Sequence, residues 1–338
     1  MAGTVFVSGG SGYIAGFLIR QLVAEGWTVH TSIRDLAKEA AVRESLAVDD
    51  GKLKFFAADL MSDAGWAEAM AGCSHVAHVA SPLPAAAPKH DDELIVPARD
   101  GALRALRAAK AAGVTRFVMT SSMAAIAYGH GKGKHVFTEA DWTDVASPDA
   151  YAYVKSKTIA ERAARDWVAG EGGGIEFVTV NPSLVLGPLQ SGDFSTSLEV
   201  IKKLLEGSLP GLPDFGFGVV DVRDVADMHV RCLTAPDMAG ERFICSGPFM
   251  NMAAVAAVLR EGLGEQARKV PRRQLPDWLV RIAARFDPMV RQVIGELGSV
   301  RESPATHATD KLGWVPRPPR ETILDTARDM IRLGLVKV

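Results

Sequence analysis

The sequence predicts an α/β fold, a doubly wound parallel sheet followed by a smaller, mainly helical C-terminal lobe. Three observations carry this expectation. Short apolar runs alternate with amphipathic stretches through the first half, the pattern of parallel strands joined by crossover helices. A glycine-rich turn, Gly9-Gly10-Ser11-Gly12, separates the first apolar run from the first amphipathic one. After residue 181 the rhythm changes: Pro182, Gly187, Pro188, Pro210, Gly211 and Pro213 interrupt the pattern and strands become sparse.

Each element follows from its local pattern. Thr4–Ser8 is the first strand. A helix follows from about Gly12 to Glu25, with Ile14, Phe17, Leu18 and Leu22 on one face and Gly26 as its C′ residue. Trp27–Ile33, Leu53–Ala58 and His75–Val79 are strands two to four. An alanine-rich helix over about Leu94–Ala112, closed by Gly113, leads to strand five at Arg116–Thr120. A further helix runs from about Ala150 to Ala169, and Gly172-Gly173-Gly174 breaks the chain before strand six, Glu176–Asn181. Val219–Val222 is expected to return to the main sheet and Arg242–Cys245 to add another strand. Helical patterns lie at about Pro276–Ala284 and Pro288–Leu297. Residues 1–181, with a return around 215–245, are expected to form the first unit, and residues 182–338 a second lobe interleaved with it.

Composition excludes several function classes. The chain has 338 residues, 48% hydrophobic and 23% charged, ordinary for a soluble globular protein. Net charge is −2 with no basic block, so no nucleic-acid partner is expected. Cys73, Cys232 and Cys245 are far apart, which fits reduced thiols better than a disulfide framework. No apolar run approaches the roughly 18 residues a membrane span requires. The chain enters a strand and a glycine turn at once, leaving no room for a signal segment, so a cytoplasmic location is expected.

The glycine turn carries the first functional signal. Gly9 can take a backbone angle closed to other residues, Gly12 lets the chain approach a pyrophosphate, and Ala15 or Gly16 allows tight helix–strand packing. The free amides that open the helix, at Tyr13 and Ile14, and its dipole can hold phosphates. The first unit is therefore expected to be a Rossmann-type dinucleotide-binding domain. The end of strand two selects the nucleotide: NAD sites place a carboxylate there, whereas this chain has Arg34, then Asp35. A guanidinium suits a 2′-phosphate, so NADP (NADPH) is expected, with Lys38 adding positive charge. Asp59 and Leu60, after strand three, are placed to bracket the adenine; Asp59 equally suits a cap for the following helix.

The second signal is a tyrosine–lysine pair, and two pairs compete: Tyr153 with Lys157, and Tyr151 with Lys155. Residues i and i+4 share a helix face, their Cβ atoms roughly 6 Å apart. Positions 151 and 153 would lie about 200° apart around a helix axis. The Tyr153 stripe continues through Lys157, Ala160, Ala164 and Val168, small or apolar positions, whereas the Tyr151 stripe runs with Lys155, Arg162 and Asp166. Tyr153 and Lys157 are thus expected to face the protein, and Tyr151→Phe to leave the reaction rate nearly unchanged. Strand five ends in Thr120-Ser121-Ser122, and ligands in open α/β sheets sit beyond carboxyl ends of strands. Ser122 is placed to hold a carbonyl that Tyr153 protonates as hydride arrives, unless it is only a strand-end cap. An ordinary tyrosine titrates near 10; a neighbouring ammonium, Lys157, is expected to lower that value.

These residues resemble the extended short-chain dehydrogenase/reductases: Gly9-x-x-Gly12-x-x-Ala15, Thr120-Ser121-Ser122 and Tyr153-x-x-Ser156-Lys157. Within that family the chain is most similar to the dihydroflavonol-reductase-like aldehyde and ketone reductases, through four further matches. These are Val79-Ala80-Ser81-Pro82, Thr158-x-Ala160-Glu161, Asn181-Pro182-x-x-Val185-x-Gly187-Pro188 and Asp221-Val222-Arg223-Asp224-Val225-Ala226. The resemblance implies Ser122, Tyr153 and Lys157 as catalytic. It further implies Val79, Ala80 and Ser81 along the cofactor, Pro182 near the nicotinamide, and Ser197 touching the cofactor. One departure is Ala41, where related plant reductases carry a lysine, which leaves the 2′-phosphate to Arg34 and Lys38.

The expected activity is NADPH-dependent reduction of a small aldehyde or ketone, reversible as alcohol oxidation. Nucleotide-sugar epimerisation or dehydration on the same scaffold and a non-catalytic NADP-binding regulator are the alternatives. Dehydratases need an acid pair where this chain has Met123-Ala124, epimerases an acid where it has Arg34, and a regulator predicts a broken triad. No metal is expected, because His75 and His78, three apart on a strand, point to opposite faces. Asp221, Arg223 and Asp224 are expected to fix the lobe junction, and Phe215, Phe217, Met123 and Leu186 suit a pocket or core equally.

Overall fold

The computed structural model describes residues 3–82, 88–190, 195–286, 290–291 and 294–338. Its strands are β1 (Thr4–Val7), β2 (Thr28–Ile33), β3 (Leu53–Ala57), β4 (His75–His78), β5 (Arg116–Thr120), β6 (Lys134–Val136), β7 (Glu176–Pro182), β8 (Leu184–Leu186), β9 (Gly216–Asp221), β10 (Arg242–Cys245), β11 (Phe249–Asn251) and β12 (Val300–Glu302). Its helices are α1 (Tyr13–Ala24), α2 (Glu39–Leu46), α3 (Trp66–Met70), α4 (Asp92–Ala111), α5 (Ala152–Glu171), α6 (Glu199–Glu206), α7 (Val222–Thr234), α8 (Met252–Leu263), α9 (Asp277–Ala283), α10 (Thr306–Leu312) and α11 (Pro319–Arg332).

Seven strands form one sheet in the order β10-β7-β5-β4-β1-β2-β3, every neighbouring pair parallel. Its central strands are apolar on both faces, because helices cover both. Val5, Val7, Val118 and Val178 pack beneath α1 and α7. Phe6, Val76, Phe117 and Phe177 pack against α3, α4 and α5. This is the residue pattern of a parallel sheet buried on two sides. Strand order reverses between β1 and β4, which opens a crevice at their carboxyl ends. The expected α/β doubly wound class is therefore the class observed.

Two smaller sheets complete the fold, β11-β9-β8 and β12-β6. The stretch expected to return to the main sheet, Val219–Val222, does not: β9 pairs with β8 and β11 instead, and Val222 already opens α7. Arg242–Cys245 does return, beside β7. Beyond β7, the helices α6, α8 and α11 close around Leu186, Ile201, Leu204, Val255, Leu259 and Ile323. The first expected helical pattern near its end is α9. Of the second, residues 288, 289, 292 and 293 lie outside the described residues, and Ile294–Glu296 form a single tight turn. Asp221 and Asp325 both bind Arg223, and Asp224 binds Arg317, joining α7 to the chain leading into α11. Among the described residues no helix is long and apolar enough to cross a membrane.

Candidate active site

The glycine turn is shaped by close approach. Gly9 has φ +74°, and a Cβ there would lie 3.1 Å from the Ala80 side chain. A Cβ on Gly10 would collide with Thr31, a requirement the sequence did not announce. Gly12 starts α1 with no side-chain cap, and the first turn holds no acidic residue. The amides of Tyr13 and Ile14 are thus left open to an anion. Tyr13 offers only that amide: its hydroxyl donates to the Pro188 carbonyl at 3.1 Å and its ring meets Phe17 edge-on. Gly16 makes room for Gln190 rather than for a strand, while Ala15 is the residue buried against the sheet.

Ser8, not singled out in the sequence, and His78, weighed there only as a metal ligand, lie between this turn and the helix that bears Lys157. Ser8 Oγ accepts from the Val79 and Ala80 amides, both at 2.9 Å. With both lone pairs used, its proton goes to His78 Nδ1 at 3.1 Å, which fixes a neutral ring protonated on Nε2. Burial first, and the charge of Lys157 second, push His78 down to about 3. A polar residue ending an apolar strand, followed seventy positions on by another, was the only sequence signal.

At the end of β2, Arg34 and Lys38 are exposed. The Asp35 carboxylate accepts from the Ala37 amide at 3.0 Å and caps the turn Leu36–Lys38. Asp59 neither caps α3 nor extends freely: it closes a turn on the Met61 amide at 2.8 Å. Leu60 packs against Gly101. Ser197 donates to the Val185 carbonyl at 2.8 Å, just beyond β8.

Ser122, Tyr153 and Lys157 come together at the carboxyl ends of β4, β5 and β7. Ser122 caps the turn Met123–Ala125, accepting from the Ala124 amide at 3.1 Å, so the cap and site readings describe the same residue. Its carbonyl accepts from Asn181 Nδ2 at 3.1 Å, and Pro182 follows directly. Burial raises Tyr153 above an ordinary tyrosine; the Ser122 hydroxyl works in the opposite direction. The lowering expected from Lys157 is not observed: desolvation of the phenol dominates, and the opposing contribution comes from Ser122. Lys157 itself is buried, which brings it down to about 8, with Glu161 opposing the fall. No described residue hydrogen-bonds its ammonium.

Tyr151 departs from expectation. The helix starts at Ala152, and Tyr151 is extended (φ −78°, ψ 167°), so the 200° separation that applies within a helix does not apply to it. Its ring stacks on Tyr153 with centroids 6.5 Å apart and meets Tyr128 edge-on at 6.1 Å. Burial pushes its hydroxyl up to about 12. The rest of that stripe behaves as expected: Lys155 pairs with Asp91 at 2.8 Å, and Arg162 and Asp166 are exposed. A cavity of about 400 Å³ opens beside Tyr151 and Ala152, lined further by Asp91, Asp149, Arg291 and Ile294. A larger one, about 1150 Å³, lies between α1, α7 and residues 315–317 and contains no candidate site residue, so it is not where the chemistry is placed. Of the apolar pocket candidates, Leu186 is fully buried in the core, Met123 nearly so, and Phe215 and Phe217 pack against that core. His75 and His78 are held by Ser74 and Ser8 respectively.

Residues 5–245 match the NAD dependent epimerase/dehydratase family. Cinnamoyl-CoA reductase CAD2 of Medicago truncatula is 34% identical over 268 residues, covering 77% of this chain and 81% of that protein. Dihydroflavonol 4-reductase of Zea mays is 30% identical over 267 residues, covering 77% of this chain and 74% of that protein. The crystal structure of yeast methylglyoxal/isovaleraldehyde reductase Gre2 with NADPH superposes with a TM-score of 0.82 at 25% identity, covering 98% of this chain and 99% of that one. The chain belongs to the NAD dependent epimerase/dehydratase family, the extended short-chain dehydrogenase/reductases, and within it to the dihydroflavonol-reductase-like group.

Proposed function

We propose that this chain is an NADPH-dependent carbonyl reductase that converts a small aldehyde or ketone to the alcohol, with Tyr153 as proton donor. It is an NADP-dependent oxidoreductase. One observation carries the reading: Ser8 and His78 set the glycine turn beside the helix that bears Tyr153 and Lys157. Ser8 ties Val79 and Ala80 to His78, His78 lies in the field of Lys157, and Tyr153 on the same helix meets Ser122. Residues 1–181 with β10 then form the nucleotide unit, and residues beyond 182 shape the substrate pocket.

When bound across the glycine turn, NADPH supplies the hydride. The uncapped amides of α1 would hold its phosphates, and Arg34 with Lys38 would bind the 2′-phosphate. Ser122 donates to the substrate oxygen. The raised value of Tyr153 keeps its proton in place near neutrality, which suits a donor for reduction. Lys157, at about 8, is mostly an ammonium at pH 7 and is available to ribose hydroxyls. Met123 and Ala124 are buried apolar residues, so the acid pair a dehydratase needs is missing. The names of the relatives, reductases of carbonyl compounds, support the substrate class. The test is NADPH consumption with a panel of aldehydes and ketones. Activity is expected in the wild type, with a loss of at least about a hundredfold in Tyr153→Phe; equal rates would refute the assignment.

A further inference from the structure

We propose that Glu161 is a positioning residue of the site, holding Ser121–Ser122, Asn181 and the Lys157 turn of α5 in one arrangement and setting the charge that Lys157 faces. The proposal rests on the roles given to Tyr153 and Lys157 above. Glu161 lies four residues beyond Lys157, one turn along the same helix face. It is fully buried. Its carboxylate accepts from Arg242 Nε at 2.7 Å, Asn181 Nδ2 at 2.9 Å, Thr179 Oγ1 at 3.2 Å and Arg165 Nε at 3.3 Å, and from the Ser121 hydroxyl. The same Asn181 amide donates to the Ser122 carbonyl at 3.1 Å. One side chain therefore reaches the ends of β5 and β7, the edge strand β10 and the catalytic helix.

A buried ion pair is weak evidence of a stabilising role, so the reason for this carboxylate lies in what it faces. Burial alone would raise Glu161, but Arg242, Arg165 and Ser121 outweigh it and hold the group below the usual carboxylate range. Arg242 is itself fixed, its guanidinium 3.8 Å from the Trp142 ring and bonded to the carbonyls of Glu139, Asp141 and Ala125. The negative charge is thus permanent and immobile. Lys157 acts on His78 of β4, which is neutral, and is itself acted on by Glu161 one turn further along its helix; Tyr153 lies one turn before it on the same helix. Glu161 is the one opposite charge acting on it among the described residues.

A scaffold role would lower activity and stability together at every pH; the positioning role moves the pH profile. The experiment measures kcat against pH for NADPH-dependent carbonyl reduction in the wild type and four variants. In Glu161→Gln the alkaline limb is expected to move to lower pH by about one unit, the effect of losing an opposite charge at this range. In Arg165→Gln, where Glu161 is less neutralised, it is expected to move the opposite way. Thr179→Val removes one hydrogen bond to the carboxylate without changing charge and is expected to leave the limb with the wild type. Glu161→Asp should restore most of the Glu161→Gln shift. Coincident limbs in all variants, or Glu161→Gln and Arg165→Gln moving together, would overturn the proposal; should Glu161→Gln fail to fold, Arg165→Gln decides alone. Full activity in Tyr153→Phe would instead remove the underlying reading of Tyr153, so the two failures are distinguishable.

Discussion

Replacing Lys157 by methionine should abolish reduction and yet stabilise the fold. The ammonium is 6% exposed and burial brings it from 10.5 to about 8. At about 1.4 kcal/mol per pH unit, that depression corresponds to about 3 kcal/mol held against the folded state. The folded value lies below the unfolded one, so the unfolded chain binds the extra proton between about pH 8 and 10.5. Wild-type stability therefore gains from rising pH across that window, and the full cost applies below it. Methionine keeps the apolar stem and removes the charge, but leaves Glu161 without its neighbour. A gain of about 1–3 kcal/mol at pH 7 is expected after that discount. Urea unfolding of both proteins without cofactor, at pH 7 and again near pH 10, measures it. The gap should shrink at the higher pH. A methionine variant less stable than wild type at pH 7, or a gap indifferent to pH, would refute the reasoning.

Three further outcomes follow from the same geometry. Arg34→Ala should raise KM for NADPH by about tenfold or more, the worth of a charge-assisted hydrogen bond, with NADH little affected; equal effects on both would remove the 2′-phosphate role. Ser8→Ala strands the Val79 and Ala80 amides and releases His78 Nδ1. It should weaken NADPH binding measured by nicotinamide fluorescence, and an unchanged Kd would show that the turn does not depend on Ser8. Tyr151→Phe should keep kcat within about tenfold of wild type, because it is the ring, which phenylalanine retains, and not the hydroxyl that stacks on Tyr153. A loss matching Tyr153→Phe would mean that the two tyrosines have been assigned the wrong way round.

The strands were legible because each carries its own signal. Arg116–Thr120, inside the sheet, and Arg242–Cys245, at its edge, begin and end where the apolar runs do, since both strands are buried on both faces. Pairing partners were not legible. The run Val219–Val222 says strand, but nothing in it says that β8 and β11 will flank it rather than β10. The placing of Tyr153 and Lys157 on the buried side of one helix was legible from spacing, and the misreading of Tyr151 came from a single residue of helix boundary. The hydrogen bonds of Ser8, His78 and Glu161 escaped for a common reason. Their partners lie up to eighty-one positions away, and local pattern carries no information about hydrogen bonds closed at that distance. The resemblance did include Glu161, but as a letter in a motif, without the four elements it joins.

The most direct test follows the hydride itself. With NADPH carrying deuterium on the transferred position of the nicotinamide and a ketone turned over by the wild type, proton NMR of the product alcohol should show one deuterium on the carbinol carbon. The Tyr153→Phe protein under the same conditions should give almost none. Deuterium retained on the cofactor while the wild type transforms the substrate, or equal transfer by the phenylalanine variant, would contradict the account.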